Sequence, residues 1–259
     1  MTRTTGPATG TLRLIGIGAL ISVAGCFSLA RPTPPLEEYV LGGSARAEAA
    51  ARARDTGAVT VGLRRLDLAP YLASTAIVVR HGSRIATSEF RRWGEEPSAG
   101  IMRAVAVALR AEPGILAVDV APWQVRAPHD YLIQLHISHL EGVVAEGLAA
   151  TAGEVQVMAS WEIVRAEDGA LVARGDTDRR EAEWPVGDYL GLVTRIDKGL
   201  TGLAGDLAAC LVRLKPAMPA TPAAPAAPAG SGASATPVAP AVPVSDTSAV
   251  VRPTVCRAR

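Results

Sequence analysis

The sequence predicts an α/β domain, with α+β as the alternative arrangement: one mixed β-sheet covered by two main helices. Three observations predict it. Period-two alternation of apolar residues recurs in several stretches between Val59 and Thr177. Helical periodicity occupies two stretches, one opening at Pro97 and one over Asp188–Leu214. The resulting order of strands, helix, strands, helix fits within residues 37–215, the size of one ordinary domain.

Each element has a local cause. Val59–Leu66 is rich in β-formers and stops before Pro70. Ala76–Arg80 and Arg84–Trp93 flank His81-Gly82-Ser83, which reads as a hairpin turn. Pro97 opens a helix with Ile101, Val105, Ala108 and Leu109 on one face, and Pro113-Gly114 ends it. Val118–Val120 reads as a short strand. Tyr131–Leu140 is longer and places Tyr131, Ile133, Leu135 and Ile137 together; Glu154–Arg165 does the same for Val155, Val157, Ala159, Trp161 and Ile163. Asp168-Gly169 turns the chain into Ala170–Thr177. In the last helix Ile196, Leu200, Leu203, Leu207 and Cys210 recur at spacings of three or four.

The two ends differ from this block. Residues 1–25 read as a secretory signal: Arg3 and Arg13 precede the apolar run Leu14–Ala24, which is shorter than the roughly 20 residues a membrane span needs. The run ends in Val23-Ala24-Gly25-Cys26, an aliphatic residue, two small residues and a cysteine. That is the pattern of a bacterial lipoprotein signal, with Cys26 accepting acyl chains such as palmitate. Several chains on one cysteine give stable anchoring, at about 0.8 kcal/mol per buried methylene. Phe27 rather than an aspartate follows Cys26. This favours the outer membrane of a Gram-negative cell, with the domain facing the periplasm. Residues 26–36 are the lipidated cysteine and a tether stiffened by Pro32, Pro34 and Pro35. Residues 216–259 read as a disordered Pro/Ala-rich tail, with proline at every third position from 216 to 228.

Composition excludes several functions. The chain has 26 Lys+Arg against 25 Asp+Glu and a formal net charge of +1, so no basic field tracks nucleic acid. Histidines 81, 129, 136 and 139 show no ligand spacing. His136 and His139 are expected on opposite faces of a strand, where they cannot share a metal. Asp176 and Asp178 share a face but stand among Arg174, Arg179 and Arg180, as a solvated charged strand does. No G-x-S-x-G elbow or clustered nucleophile is visible. The expectation is therefore a non-enzyme with no cofactor and no metal. Gly199, Gly202 and Gly205 lie inside the last helix, where packing within the subunit is the default reading and self-association stays open. The tryptophans are expected as core or edge anchors. Cys210 is expected as an inert buried thiol; the periplasm would permit a bridge to Cys256, but the tail carrying Cys256 has no visible reason to dock, and the pairing stays open.

An ordered series of short motifs carries a resemblance. It begins at Glu38-Tyr39-Val40-Leu41-Gly42, then Val59-Thr60-Val61-Gly62, Leu68-Ala69-Pro70-Tyr71-Leu72 and Ile77-Val78-Val79-Arg80. It continues through Glu89-Phe90-Arg91-Arg92-Trp93, Glu96-Pro97, Pro122-Trp123, Trp161 and Gly187-Asp188-Tyr189. In this order after a lipobox, the series resembles the ABC-type transport auxiliary lipoproteins, including the paraquat-inducible protein C group, over about residues 37–212. The resemblance implies an auxiliary, non-catalytic subunit, anchored in the outer membrane, of an ABC system that moves lipid between membranes. Its implied partner is a mammalian-cell-entry-type periplasmic protein. Glu89, Phe90, Arg91, Trp93 and Trp123 are the candidate structural or partner-contact residues. A different module, a periplasmic lipoprotein that regulates cell-wall synthesis, is the alternative. The long tail and Gly94 depart from the family pattern.

Overall fold

The computed structural model describes residues 2, 34–42, 58–123, 128–146, 150–214 and 253–257. Cys26 and most of the tail therefore lie outside the described residues. The elements within Leu36–Arg259, one compact unit, are β1 (Glu37–Tyr39), β2 (Val59–Leu63), β3 (Asp67–Leu68), a 3-10 turn (Pro70–Leu72), β4 (Ala76–His81), β5 (Arg84–Trp93), α1 (Pro97–Arg110), β6 (Ile115–Val120), β7 (Tyr131–Val144), β8 (Ala152–Arg165), β9 (Leu171–Pro185), α2 (Tyr189–Leu214) and β10 (Thr254–Arg257). The predicted mixed sheet with two covering helices is what forms.

The long strands make the frame. β7, β8 and β9 pair antiparallel over most of their length, as short connections allow. Along its other edge β7 meets three partners in turn, all parallel: β2 at Tyr131–Ile133, β3 at His136–Ile137 and β4 at Gly142–Val144. β5 continues outward from β4, and β1 adds parallel to β5. β6 pairs parallel with β2.

One face of the sheet carries the core. Ile133, Leu135, Ile137, Val155, Val157, Ala159 and Trp161 meet Leu192, Ile196, Leu200, Leu203 and Leu207 of α2, all buried. Side chains of the Leu, Ile and Phe class each contribute about 1.5–3 kcal/mol when fully buried, so this seam is the main source of stability. α1 adds Ile101, Val105, Ala108 and Leu109. Its first turn is capped by Glu96, whose carboxylate accepts from the N–H groups of Ser98 (3.1 Å) and Ala99 (2.8 Å). Asp188 does the same for α2, accepting from Gly191 N–H at 2.8 Å.

The opposite face is polar, and here the structure corrects one expectation. β7 has a register shift between Ile137 and His139. His136 pairs with Ser160 and His139 with Met158. Ser160 and Met158 are two residues apart, and directly opposed residues share a face, so both histidines lie on the polar face. A bulge shifts the two-residue alternation by one, which the spacing alone does not reveal. The two rings have separate partners: His136 Nδ1 meets Asp67 Oδ2 at 2.8 Å, and His139 Nδ1 meets Glu141 Oε1 at 2.9 Å.

The second correction concerns the tail and the cysteines. β10 lies beyond residue 216 yet pairs parallel with β9, Thr254 opposite Ala173 through Arg257 opposite Asp176. Cys256, buried on this strand, is disulfide-bonded to Cys210 of α2, with Cα atoms 5.9 Å apart. The reason to dock is tertiary: β9 has a free edge beside the C-terminal half of α2. Gly175 makes room for it. A Cβ there would stand 2.3 Å from the Cys256 carbonyl oxygen and 2.4 Å from the Trp161 ring.

Of Gly199, Gly202 and Gly205 inside α2, the first two pack within the subunit as expected, whereas the nearest atom to a Cβ added at Gly205 is 4.0 Å away. A Cβ on Gly199 would stand 2.6 Å from Val157, and one on Gly202 would stand 2.9 Å from Arg179.

Candidate functional site

The five described candidates do not form one site. Trp93 is buried at the end of β5, opposite Tyr39 of β1, and its backbone N–H donates to the Thr75 carbonyl at 2.7 Å. Arg91 lies two residues earlier and ties three elements together. It faces Glu37 of β1 at 3.5 Å and sits 5.5 Å over the Tyr189 ring of α2. Tyr39 donates its hydroxyl to the same Glu37 carboxylate at 2.6 Å. Burial, reinforced by that carboxylate, pushes the Tyr39 hydroxyl up to about 12. Arg91 and Trp93 thus fasten the β1 edge. Phe90 is half-buried, with its N–H 3.3 Å from Ser88 Oγ. Glu89 stands exposed. Within this stretch Glu89 and Arg92 are exposed and open to a partner.

Trp123 belongs elsewhere. Its ring meets His129 edge-on with centroids 5.0 Å apart, and His129 Nε2 lies 3.0 Å from Asp119 Oδ2. It follows the cis Ala121-Pro122 bond. That turn is held to β2 by the Ala121 N–H, which donates to the Leu63 carbonyl at 2.9 Å.

The turn is one wall of a groove of about 770 Å³. The outer side of α1 supplies Ala99, Met102 and Ala106, and Leu66, Val120 and Pro122 close the apolar surface. Three arginines flank it. Arg103 makes a two-point contact with Glu95 and donates to the Leu41 carbonyl at 2.8 Å. Arg110 grips the Val118 carbonyl through Nε, at 3.0 Å, and Nη2. Arg65 lies at the rim, where its charge acts on Glu96. Burial pushes the Glu96 carboxyl up, but hydrogen bonds from Ser98 and Ala99 and the charge of Arg65 outweigh it and hold the group below the usual carboxylate range. The arrangement can bind; among the described residues its one hydroxyl, on Ser98, donates to the capping Glu96 at 2.7 Å.

Sequence reasoning missed this groove. Its signal was present: Ala99, Met102 and Ala106 widen the apolar stripe of Ile101, Val105, Ala108 and Leu109 along one flank of α1, and a helix with a stripe that wide covers more than one surface.

A second polar group sits on the sheet's open face. Glu141 is fully buried and accepts from Arg80 Nε at 2.7 Å. Arg80 also donates to Gln156 Oε1 at 3.0 Å, and the Tyr71 hydroxyl lies 3.3 Å from His139 Nδ1. Burial, with Glu141 nearby, pushes the Tyr71 hydroxyl well above its ordinary value. Among the described residues no cluster of three or more His, Cys, Asp or Glu could hold a metal ion.

Comparison with known proteins adds the following. The family model for the ABC-type transport auxiliary lipoprotein component matches residues 39–208. A crystal structure from Xanthomonas campestris, of the DUF330 family, is similar over 70% of this chain and 95% of its own, at 13% identity and a TM-score of 0.51. A lipoprotein structure described as putative, from Caulobacter crescentus, is 19% identical over 56% of this chain and 96% of its own, with a TM-score of 0.33. No curated protein matches the chain.

Proposed function

Since the chain belongs to the ABC-type transport auxiliary lipoprotein family, we propose that it is the outer-membrane end of an intermembrane lipid-transport system. It is anchored through acylated Cys26, with the domain facing the periplasm. Its partner is a mammalian-cell-entry-type protein paired with an inner-membrane permease and ATPase. Its role is docking and positioning, without turnover of a substrate.

The observation that carries the reading is the extent of the family match. Residues 39–208 run from β1 into the last turns of α2, so the β1 clamp around Arg91, the groove and the α2 seam all fall inside it. The lipobox ending in Cys26, followed by Phe27, supports the anchor and its membrane. The exposed surface at Glu89 and Arg92 is a place such a partner would meet.

The test is in-cell crosslinking of the native lipoprotein, purification from detergent-solubilised envelope, and mass spectrometry of the proteins recovered. A mammalian-cell-entry-type protein is the expected product. Recovery of cell-wall synthases with no transporter component overturns the reading. Cys26→Ser removes the acyl acceptor, and acyl labelling should disappear with it.

A further inference from the structure

We propose that the groove between α1, the end of β6 and the Ala121–Pro122 turn binds one anionic amphiphile. Its apolar chain lies along Ala99, Val120 and Pro122, over a floor of Met102, Ala106 and Leu66, and its carboxylate or phosphate head meets Arg65 and Arg110. This goes beyond the transport-subunit reading, which needs no ligand in the domain, and does not rest on it.

Size, floor and charge each point to such an occupant. A volume of about 770 Å³ lies within the roughly 300–1,000 Å³ of small-molecule sites. Met102, Ala106 and Leu66 are each less than 10% exposed and close the floor from beneath, while Ala99, Val120 and Pro122 present the apolar surface that an entering chain meets. A bare anion would leave that floor unused, and an uncharged apolar ligand would leave the arginines unused.

The charges on the rim are not balanced. Arg103 is neutralised by Glu95. The Glu96 carboxylate is taken up by the N–H groups of Ser98 and Ala99 and by the Ser98 hydroxyl. Arg110 is held by a carbonyl, the neutral Val118 oxygen, and among the described residues no ion pair compensates its charge. Among the described residues, three guanidiniums line the groove with Glu96 as its one carboxylate, and Glu95 and Asp197 offset Arg103. The surplus favours an acid, and a guanidinium can offer a carboxylate or phosphate two parallel donors.

The experiment uses the full-length lipoprotein, purified alone in an uncharged detergent. A palmitic acid carrying a diazirine on its chain is photo-crosslinked, and the labelled peptides are mapped by mass spectrometry. The expected label falls on the α1 peptide containing Met102 and Ala106 or on the peptide containing Leu66. Unlabelled palmitate or phosphatidylglycerol competes, and phosphatidylcholine does not. Whichever of the first two competes at lower concentration identifies the head as carboxylate or phosphate. Arg65→Gln and Arg110→Gln each lower groove labelling by about tenfold, the scale of one lost charge-assisted bond, while Arg65→Lys retains most of it. Circular dichroism and an intact Cys210–Cys256 bond check that the variants are folded.

Label spread over the surface without groove peptides, equal competition by phosphatidylcholine, or full labelling of the folded glutamine variants overturns the proposal. Competition by an acidic peptide but by neither lipid assigns the groove to a protein segment and also overturns it. None of these results bears on which proteins co-purify from the envelope, so the two readings fall separately.

Discussion

Cys210, on the buried face of α2, is bonded to Cys256 on β10, closing a loop that spans 46 positions of sequence. The bond joins the last strand of the sheet to the helix that covers it. Such bonds persist in oxidising compartments such as the periplasm, where the proposed function puts the domain.

Reduction should therefore cost stability. Closing a loop of this length contributes about 4 kcal/mol on the chain-entropy estimate. Chemical denaturation with and without reductant should show a loss of that order for the native protein and no response to reductant in Cys256→Ala. Equal midpoints in all four conditions would mean that β10 adds nothing to the fold.

Two glycines of one helix should respond in opposite directions to the same substitution. Gly199→Ala places a methyl 2.6 Å from Val157 of β8. The resulting overpacking costs about 1–3 kcal/mol, more than the gain in helix propensity returns. At Gly205 the nearest atom to the new methyl is 4.0 Å away, on Glu112. Gly205→Ala should raise stability by up to about 1 kcal/mol. Thermal melts of the two variants decide it; destabilisation by both would mean that α2 sits differently on the sheet.

The buried carboxylate needs its cation. Glu141 is fully buried with Arg80 at 2.7 Å, and removing one partner of such a pair leaves an uncompensated charge. Arg80→Met should cost about 3 kcal/mol, and Arg80→Met with Glu141→Met should recover most of it. A double variant no more stable than the single one would place the value of this group in its hydrogen bonds with Gln156 and His139.

Glu96 should contribute a pH-dependent part of stability. Its folded-state carboxyl is held below the ordinary value. A depressed carboxyl stabilises above its unfolded value, about 4.3, and that contribution is lost as pH falls through the lower folded value. Glu96→Ala should cost about 1 kcal/mol at neutral pH, as the loss of an N-cap does. The difference from the native protein should shrink below about pH 4. Urea midpoints between pH 7 and 3 measure it, and a difference constant with pH would contradict the cap.

Local chemistry made much of the fold legible. Alternation in Tyr131–Leu140 and Glu154–Arg165 depends only on which side chains must leave water, and those strands form with Ile133, Leu135, Val157 and Trp161 buried. Pro97 after Glu96, Gly82 between two β-rich runs and the apolar stripe of α2 act within a few residues of themselves. They need no partner to be read.

What remained depended on distant neighbours. The bulge that brings His136 and His139 to one face arises from how β7 pairs with β8. β1 and β10 are short and become strands because β5 and β9 present unpaired edges, a condition invisible in Glu37–Tyr39 or Thr254–Arg257 alone. The Cys210–Cys256 bond, the Arg80–Glu141 pair and the groove joining Arg65 to Arg110 each bring together residues more than 40 positions apart. Sequence by itself determined which segments are strand or helix and which faces they bury, because those follow from solvent exclusion at fixed spacing. Only the tertiary structure decided which polar groups meet and where a cavity remains, because register, edge pairing and chain closure set those distances.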